Sequence, residues 1–223
     1  LVLLFIPQTF IAAIYPAMSA SFKTSLDSLQ SSHEKSFKYL AIIGVPIAIG
    51  TTLLAQRLVL SVFGKSYTNS ILPLQILVWS AVFIFMSITF GNLFNCLNRQ
   101  SIVTKITGIC VLVNVALNII LVPKFSLIGA SIATVMTEFV SLSLFFGCSF
   151  KNGYGISPKN LVRISIKVLI SGILMGIYII FFHDIALLIL LPSSVLIYFI
   201  ILYVSNGIDK EDIFQFQRAF IRE

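Results

Sequence analysis

The sequence predicts an all-α, polytopic membrane protein of about seven transmembrane helices, and three observations carry that expectation. First, 58% of the residues are hydrophobic and only 10% are charged, against roughly 45–50% and 25% in a soluble domain. Too few polar side chains are present to cover a water-facing surface. Second, most of the charges sit in short gaps between, or near the ends of, apolar runs at about 1–22, 38–63, 71–97, 104–122, 127–150, 161–182 and 185–205. Runs of this size match the ~20 residues with which a helix crosses about 30 Å of hydrocarbon. Third, a membrane barrel would show segments of about 10 residues with alternating polarity, and these runs are longer and do not alternate. Helices are therefore favoured although Ile, Val and Phe are abundant.

Proline stands inside or at the edge of most runs, at Pro7, Pro16, Pro46, Pro73, Pro123 and Pro192. In a bilayer, neighbouring helices re-satisfy the carbonyls that proline frees, so kinked spans are expected rather than breaks. The net charge of +7 points to topology, not to nucleic acid. Taking alternate gaps, one side receives Lys23, Lys35, Lys38, Arg99, Lys105, Lys151, Lys159, Arg163, Lys167, Lys210, Arg218 and Arg222, and the other only Arg57, Lys65 and Lys124. Lys and Arg are retained on the cytoplasmic side, which places Glu223 inside and Leu1 outside.

The chain opens at Leu1 within an apolar run, with no Met and no basic stretch before it, so a secretory signal is not expected and preceding residues are. Residues 23–36 read as a polar loop in which His33 is solvated. After Asn206-Gly207, Asp209 is a plausible N-cap for a helix to about Arg222. Its Ile213, Phe214, Phe216, Phe220 and Ile221 share one arc, opposite Glu211, Gln215, Arg218 and Arg222, as in a helix lying on the membrane interface.

Polar groups inside the runs are the candidates for function. A carboxylate near a span's centre costs about 2.5–3.5 kcal/mol on insertion scales, and Glu138 is the only acidic residue inside a predicted run. Helical spacing puts Ser131, Thr134, Glu138 and Ser141 on one face of the fifth run. That stripe is either a cavity wall with a proton- or cation-linked carboxylate, or a hydrogen-bonded seam between helices. Asn114 and Asn118 repeat the pattern in the fourth run, and Asn92, Asn95 and Arg99 in the third; amides of this kind commonly bond helix to helix. Arg57, near the outer end of the second run, either snorkels to headgroups or meets an anionic ligand.

Signs of catalysis are missing from the sequence. No His/Glu/Cys cluster has metal-ligand spacing, no Gly-rich phosphate loop precedes a Lys, and no paired acids share a helix face. Cys96, Cys110 and Cys148 lie in apolar stretches and read as packing residues. No catalytic residue, cofactor, metal or nucleic-acid partner is expected.

The run from Asn114 to Glu138, NVALNIILVPKFSLIGASIATVMTE, resembles the polysaccharide transporter (lipid-linked oligosaccharide flippase) family of the multidrug/oligosaccharidyl-lipid/polysaccharide exporter superfamily. In that pattern two asparagines near the end of one span precede a proline and a turn, and the next span opens on Gly-Ala and continues through Ala-Thr to Glu. Here these are Asn114, Asn118, Pro123, Gly129, Ala130, Ala133, Thr134 and Glu138. FIPQTFIAAIYPAMS (5–19), the stretch from Leu53 to Tyr67, LFNCLNRQ (93–100) and IDKED (208–212) are similar to family segments in the same order.

The resemblance implies residues 1–150 as the C-terminal lobe, five spans with the first truncated; residues 151–205 as two additional helices; and residues 206–223 as a cytoplasmic tail. It implies a plasma-membrane flippase moving a polyprenyl-pyrophosphate-linked glycan from the cytoplasmic to the outer leaflet, with membrane lipids and an N-terminal lobe of the same protein as partners. Transport-cavity candidates are then Glu138, Thr134, Ser131, Asn114, Asn118, Asn95 and Arg57. Two other expectations compete. A multidrug or cation antiporter of the same superfamily would be favoured by a second acidic residue in these spans. An integral membrane glycosyl- or acyltransferase would have to use His183-Asp184 or His33-Glu34.

Overall fold

The computed structural model describes residues 26–207, and no strand occurs among the described residues. In chain order they form α1 (Leu26–Val62), a 3-10 helix (Lys65–Ser70), α2 (Ile71–Cys96), α3 (Gln100–Lys151), α4 (Pro158–Phe181) and α5 (Leu187–Val204). The five α-helices are long and apolar enough to cross a membrane, so the chain is an all-α, multi-pass membrane protein. Predicted run 1–22 and the amphipathic tail from Asp209 lie outside the described residues.

Helix α3 unites two predicted runs, and it does so as a hairpin. Its backbone leaves helical geometry at Ser126, with φ 51° and ψ −124°, three residues after Pro123. In a straight helix Asn114 and Thr137, 23 residues apart, would stand about 34 Å from each other. Instead Asn114 Nδ2 donates to Thr137 Oγ1 at 3.1 Å. Arg99 Nη1 likewise donates to Asn152 Oδ1, 53 residues on. Both pairs centre on the break, so residues 100–125 and 127–151 are two antiparallel limbs, each of spanning length. The limbs meet closely at the turn, where the Gly129 Cα faces the Leu121 backbone.

Residues 26–36 correct the sequence expectation of a loop. They continue α1 as helix, because Leu29, His33, Phe37 and Leu40 recur every three or four residues and are all buried. His33 is therefore not solvated: its ring is fully buried, edge-on to Phe90 at 4.7 Å between centroids. At 37 residues α1 is about 55 Å long, well beyond the hydrocarbon thickness, and the polar first turns are the excess. Pro46 and Pro192 are carried inside continuous helices.

The described chain divides after Ser157 into two compact units. In the first, α1 and α2 are antiparallel. Leu40, Ala81 and Phe85 form their shared core with Ile43, Ile47 and Ile88 around it, and Gly44 lets α2 approach to contact distance of Phe85 and Val82. Further along, Gln75 Nε2 donates to the Thr52 carbonyl at 3.0 Å. Helix α2 and the second limb of α3 run in the same direction, joined by aromatic pairs Phe83–Phe139, Phe90–Phe146 and Phe94–Phe145.

In the second unit, α4 and α5 form an antiparallel pair. The stripe Leu190, Ser194, Tyr198 and Leu202 of α5 is buried, as are Val168, Ser171, Met175 and Ile179 of α4. Tyr178 Oη bonds Ser193 Oγ at 3.1 Å near one end, and Lys167 Nζ donates to the Asn206 carbonyl at 2.6 Å near the other.

Candidate functional site

The polar residues singled out in the sequence fall at three levels of the first unit. The middle level is the seam of the α3 hairpin. Asn114 bonds Thr137 across it, Asn118 Nδ2 donates to both the Asn114 carbonyl and Asn114 Oδ1 at 2.9 Å, and the Thr137 hydroxyl donates to the Ala133 carbonyl at 2.8 Å. This is a connected network whose buried donors have acceptors, the condition under which a polar group in an apolar setting stabilises rather than costs. Asn114 thus bonds one limb to the other, and Asn118 buttresses it from the same limb.

The hydroxyl stripe is satisfied in another way. Ser131 Oγ donates to the Leu127 carbonyl and Thr134 Oγ1 to the Ala130 carbonyl, both at 3.0 Å. Such bonds back to the preceding turn need neither water nor a partner helix. Glu138 differs. It is half-buried, and its carboxyl accepts no hydrogen bond among the described residues; Cys110 and Ser141 share its stretch of the seam. Within the hairpin, Glu138 is the acidic group left over after the structural bonds are made.

Asn95 and Arg57 do not join this group. The pairing of Phe83 with Phe139 puts Glu138 level with about residue 82 of α2, so Asn95 lies roughly 20 Å further along the axis. There it belongs to a helix cap. Asn98 adopts a left-handed conformation, φ 56°, its N–H bonding the Asn95 carbonyl at 3.1 Å while Arg99 N–H bonds Phe94 at 2.8 Å. These paired bonds close the last turn of a helix. Arg57, partly exposed on α1, lies toward the opposite end, because Thr52 is already paired with Gln75. From Glu138 it is some 18 Å along the axis.

The Asn95 end is a second polar assembly, which sequence reasoning missed. The second limb of α3 ends in the same cap as α2, with Gly153 at φ 79° and bonds from Gly153 to Phe150 and from Tyr154 to Ser149. Arg99 joins the two caps: its guanidinium reaches Asn152 and lies 5.7 Å from the Tyr154 ring centroid. The helical extension of α1 adds Gln30 Nε2 donating to the Gly155 carbonyl at 2.7 Å and Glu34 Oε1 accepting from Ser157 N at 3.0 Å. The available signal was the Asn98-Arg99 and Asn152-Gly153 pairs, each a left-handed residue just past an apolar run.

Thr137 was also missed, since it lies off the stripe of Ser131 and Glu138; only the hairpin register assigns it to Asn114. Among the described residues no group of three or more His, Cys, Asp or Glu could hold a metal ion. His183 and Asp184 are both exposed, 3.6 Å apart.

Comparison with known proteins agrees with this picture. Residues 1–72 match the polysaccharide biosynthesis protein family. The chain is 39% identical over 108 residues to an uncharacterised membrane protein of Methanocaldococcus jannaschii, covering 48% of this chain and 21% of that protein. It is 25% identical over 138 residues to the probable low-salt glycan biosynthesis flippase Agl15 of Haloferax volcanii, covering 61% of this chain and 29% of the relative. To the capsular polysaccharide biosynthesis protein CapF of Staphylococcus aureus it is 26% identical over 124 residues, 54% of this chain and 31% of that one. The chain thus matches between a fifth and a third of the length of these relatives. Motif order and matches agree that the chain resembles a polysaccharide transporter family, and its long apolar helices are those of a membrane protein.

Proposed function

We propose that this chain is part of a flippase that carries lipid-linked oligosaccharide or polysaccharide units from the cytoplasmic to the outer leaflet of the plasma membrane. A glycan with many hydroxyls and a charged pyrophosphate cannot enter hydrocarbon unaided, so the task needs a polar path between helices. The observation that carries the reading is the α3 hairpin. The segment that resembles the family folds as two apolar limbs joined by a polar seam, with the half-buried carboxyl of Glu138 outside the seam's hydrogen bonds. A relative named as a probable glycan biosynthesis flippase supports it.

In this reading the chain transports rather than catalyses, its C-terminus is cytoplasmic, and the path is completed by a further lobe of the same protein, since transporter sites lie between repeats. The substrate is a glycan on a polyprenyl pyrophosphate. The test is depletion of the intact protein in its host. Lipid-linked units should accumulate on the cytoplasmic leaflet, and continued export at the normal rate would remove the proposal.

A further inference from the structure

Helix α4 carries its cations and its exposed apolar side chains on the same arc. Taken at 100° per residue, Lys159, Arg163 and Lys167 fall within 80° of one another, and Ile166, Ile170, Ile173, Leu174, Ile177 and Phe181 fall on or beside that arc. All six apolar residues are exposed, from 43% for Leu174 to 82% for Phe181, while the opposite arc, Val168, Ser171, Met175 and Ile179, is buried. The outward face of α4 therefore changes from charge to hydrocarbon within about two turns, near Ile166.

The height of that change is fixed. Lys167 Nζ is bonded to the Asn206 carbonyl, which lies in the cap closing α5, with Asn206 at φ 53° and Gly207 N–H bonded to Leu202 at 2.7 Å. Arg163 and Lys159 are exposed, one and two turns further out respectively. Among the described residues of this unit the one acid is Asp184, at the other end of the helical pair, so no described carboxylate of the unit lies beside them. An exposed face with two cations above a strip of Ile and Phe matches one occupant in both charge and polarity: a phospholipid with its phosphate at the cations and its acyl chain along the strip.

We propose that the Lys159–Arg163 face of α4 is a site selective for anionic phospholipid headgroups of the adjoining leaflet. A zwitterionic headgroup offers the same phosphate but adds its own cation, so net negative charge is what the two side chains select. The site needs only that the chain span a membrane and is independent of what the protein transports.

The experiment uses the intact protein in lipid nanodiscs of phosphatidylcholine with 30% phosphatidylglycerol, and native mass spectrometry of the lipids retained on release. Wild type should retain phosphatidylglycerol several-fold above its bulk share. Each cation at a lipid surface contributes about five-fold in partitioning, so Lys159→Gln/Arg163→Gln should remove most of the enrichment. Lys65→Gln, at an exposed site on another element, should leave it unchanged. The charge-conserving swap Lys159→Arg/Arg163→Lys should keep it, and 1 M salt should lower it for wild type without any substitution. No enrichment in wild type, or equal enrichment in the double Gln variant, would overturn the proposal. So would loss of enrichment in millimolar inorganic phosphate at constant ionic strength, which would mark a site for free anions.

Discussion

Gly129 offers the sharpest test of the hairpin. A Cβ built on it would lie 2.3 Å from the Leu121 carbonyl oxygen, 2.6 Å from the Leu121 carbonyl carbon and 3.1 Å from the Val122 nitrogen. Non-bonded carbons rest at about 3.5–4.0 Å, so Gly129→Ala must part the limbs by roughly 1 Å. The obstacle is backbone, which has no alternative rotamer, so the cost belongs in the upper part of the ~1–3 kcal/mol range for overpacking. Parting the limbs also strains the Asn114–Thr137 bond two turns away.

The matched control is Gly108→Ala, in the first limb of the same hairpin. A Cβ there meets nothing within 4 Å, and removing a glycine from a helix interior stabilises by up to about 1 kcal/mol. The same methyl group is thus expected to act with opposite sign at two positions. Unfolding of the intact protein by heat or SDS in mild detergent measures both. If Gly129→Ala proved as stable as Gly108→Ala, the close approach at Leu121 would be wrong and the chain at Ser126 would not turn back as described.

Three further outcomes follow from the same geometry. A double-mutant cycle with Asn114→Leu and Thr137→Val should give a coupling of about 0.6 kcal/mol, at most about 1.7, the range measured for hydrogen bonds between membrane helices; zero coupling in the unfolding assay would dissolve the seam. Arg99→Lys should keep the charge yet lose the planar contact with Tyr154 and the fork to Asn152. Faster amide exchange at residues 97–101 and 152–155, with at most ~1 kcal/mol lost, would show it, and unchanged protection would refute the clamp. His33→Phe should hold or raise stability by about 1–2 kcal/mol, because both ring nitrogens are buried without a hydrogen-bond partner among the described residues and such orphans cost that much. A marked drop in the melting temperature would mean that the imidazole has a polar partner.

Composition alone made the helical membrane fold legible, because spanning length and the shortage of charge leave few alternatives. What stayed hidden was where helices continue beyond the bilayer. Residues 26–36 look like a loop when only uncharged runs are sought, yet Leu29, His33 and Phe37 repeat at helical spacing and pack on α2 and its neighbours. The polar groups were found residue by residue but not sorted. Asn95 and Asn114 are chemically alike, and only the backbone shows that one is in a helix cap and the other in a seam. Sorting needed the hairpin register, which ties Asn114 to Thr137 and Arg99 to Asn152 at once.

That sorting leaves Glu138 as the residue on which structure and transport can be separated. Asn114, Asn118, Ser131, Thr134 and Thr137 have their bonds inside the hairpin, so their presence among apolar residues is explained by stability. Glu138 has no such bond among the described residues and carries an insertion cost of about 2.5–3.5 kcal/mol. If it served only to hold helices together, Glu138→Gln would keep a hydrogen-bonding side chain and normal export, and Glu138→Leu would unfold the protein more easily. If its carboxyl serves transport, the signs reverse. Glu138→Leu should then stabilise the intact protein in the unfolding assay by about 1–3 kcal/mol, since a polar group is exchanged for an apolar one, and both variants should lose glycan export while remaining folded and inserted. Normal export by folded Glu138→Gln would return the residue to the scaffold.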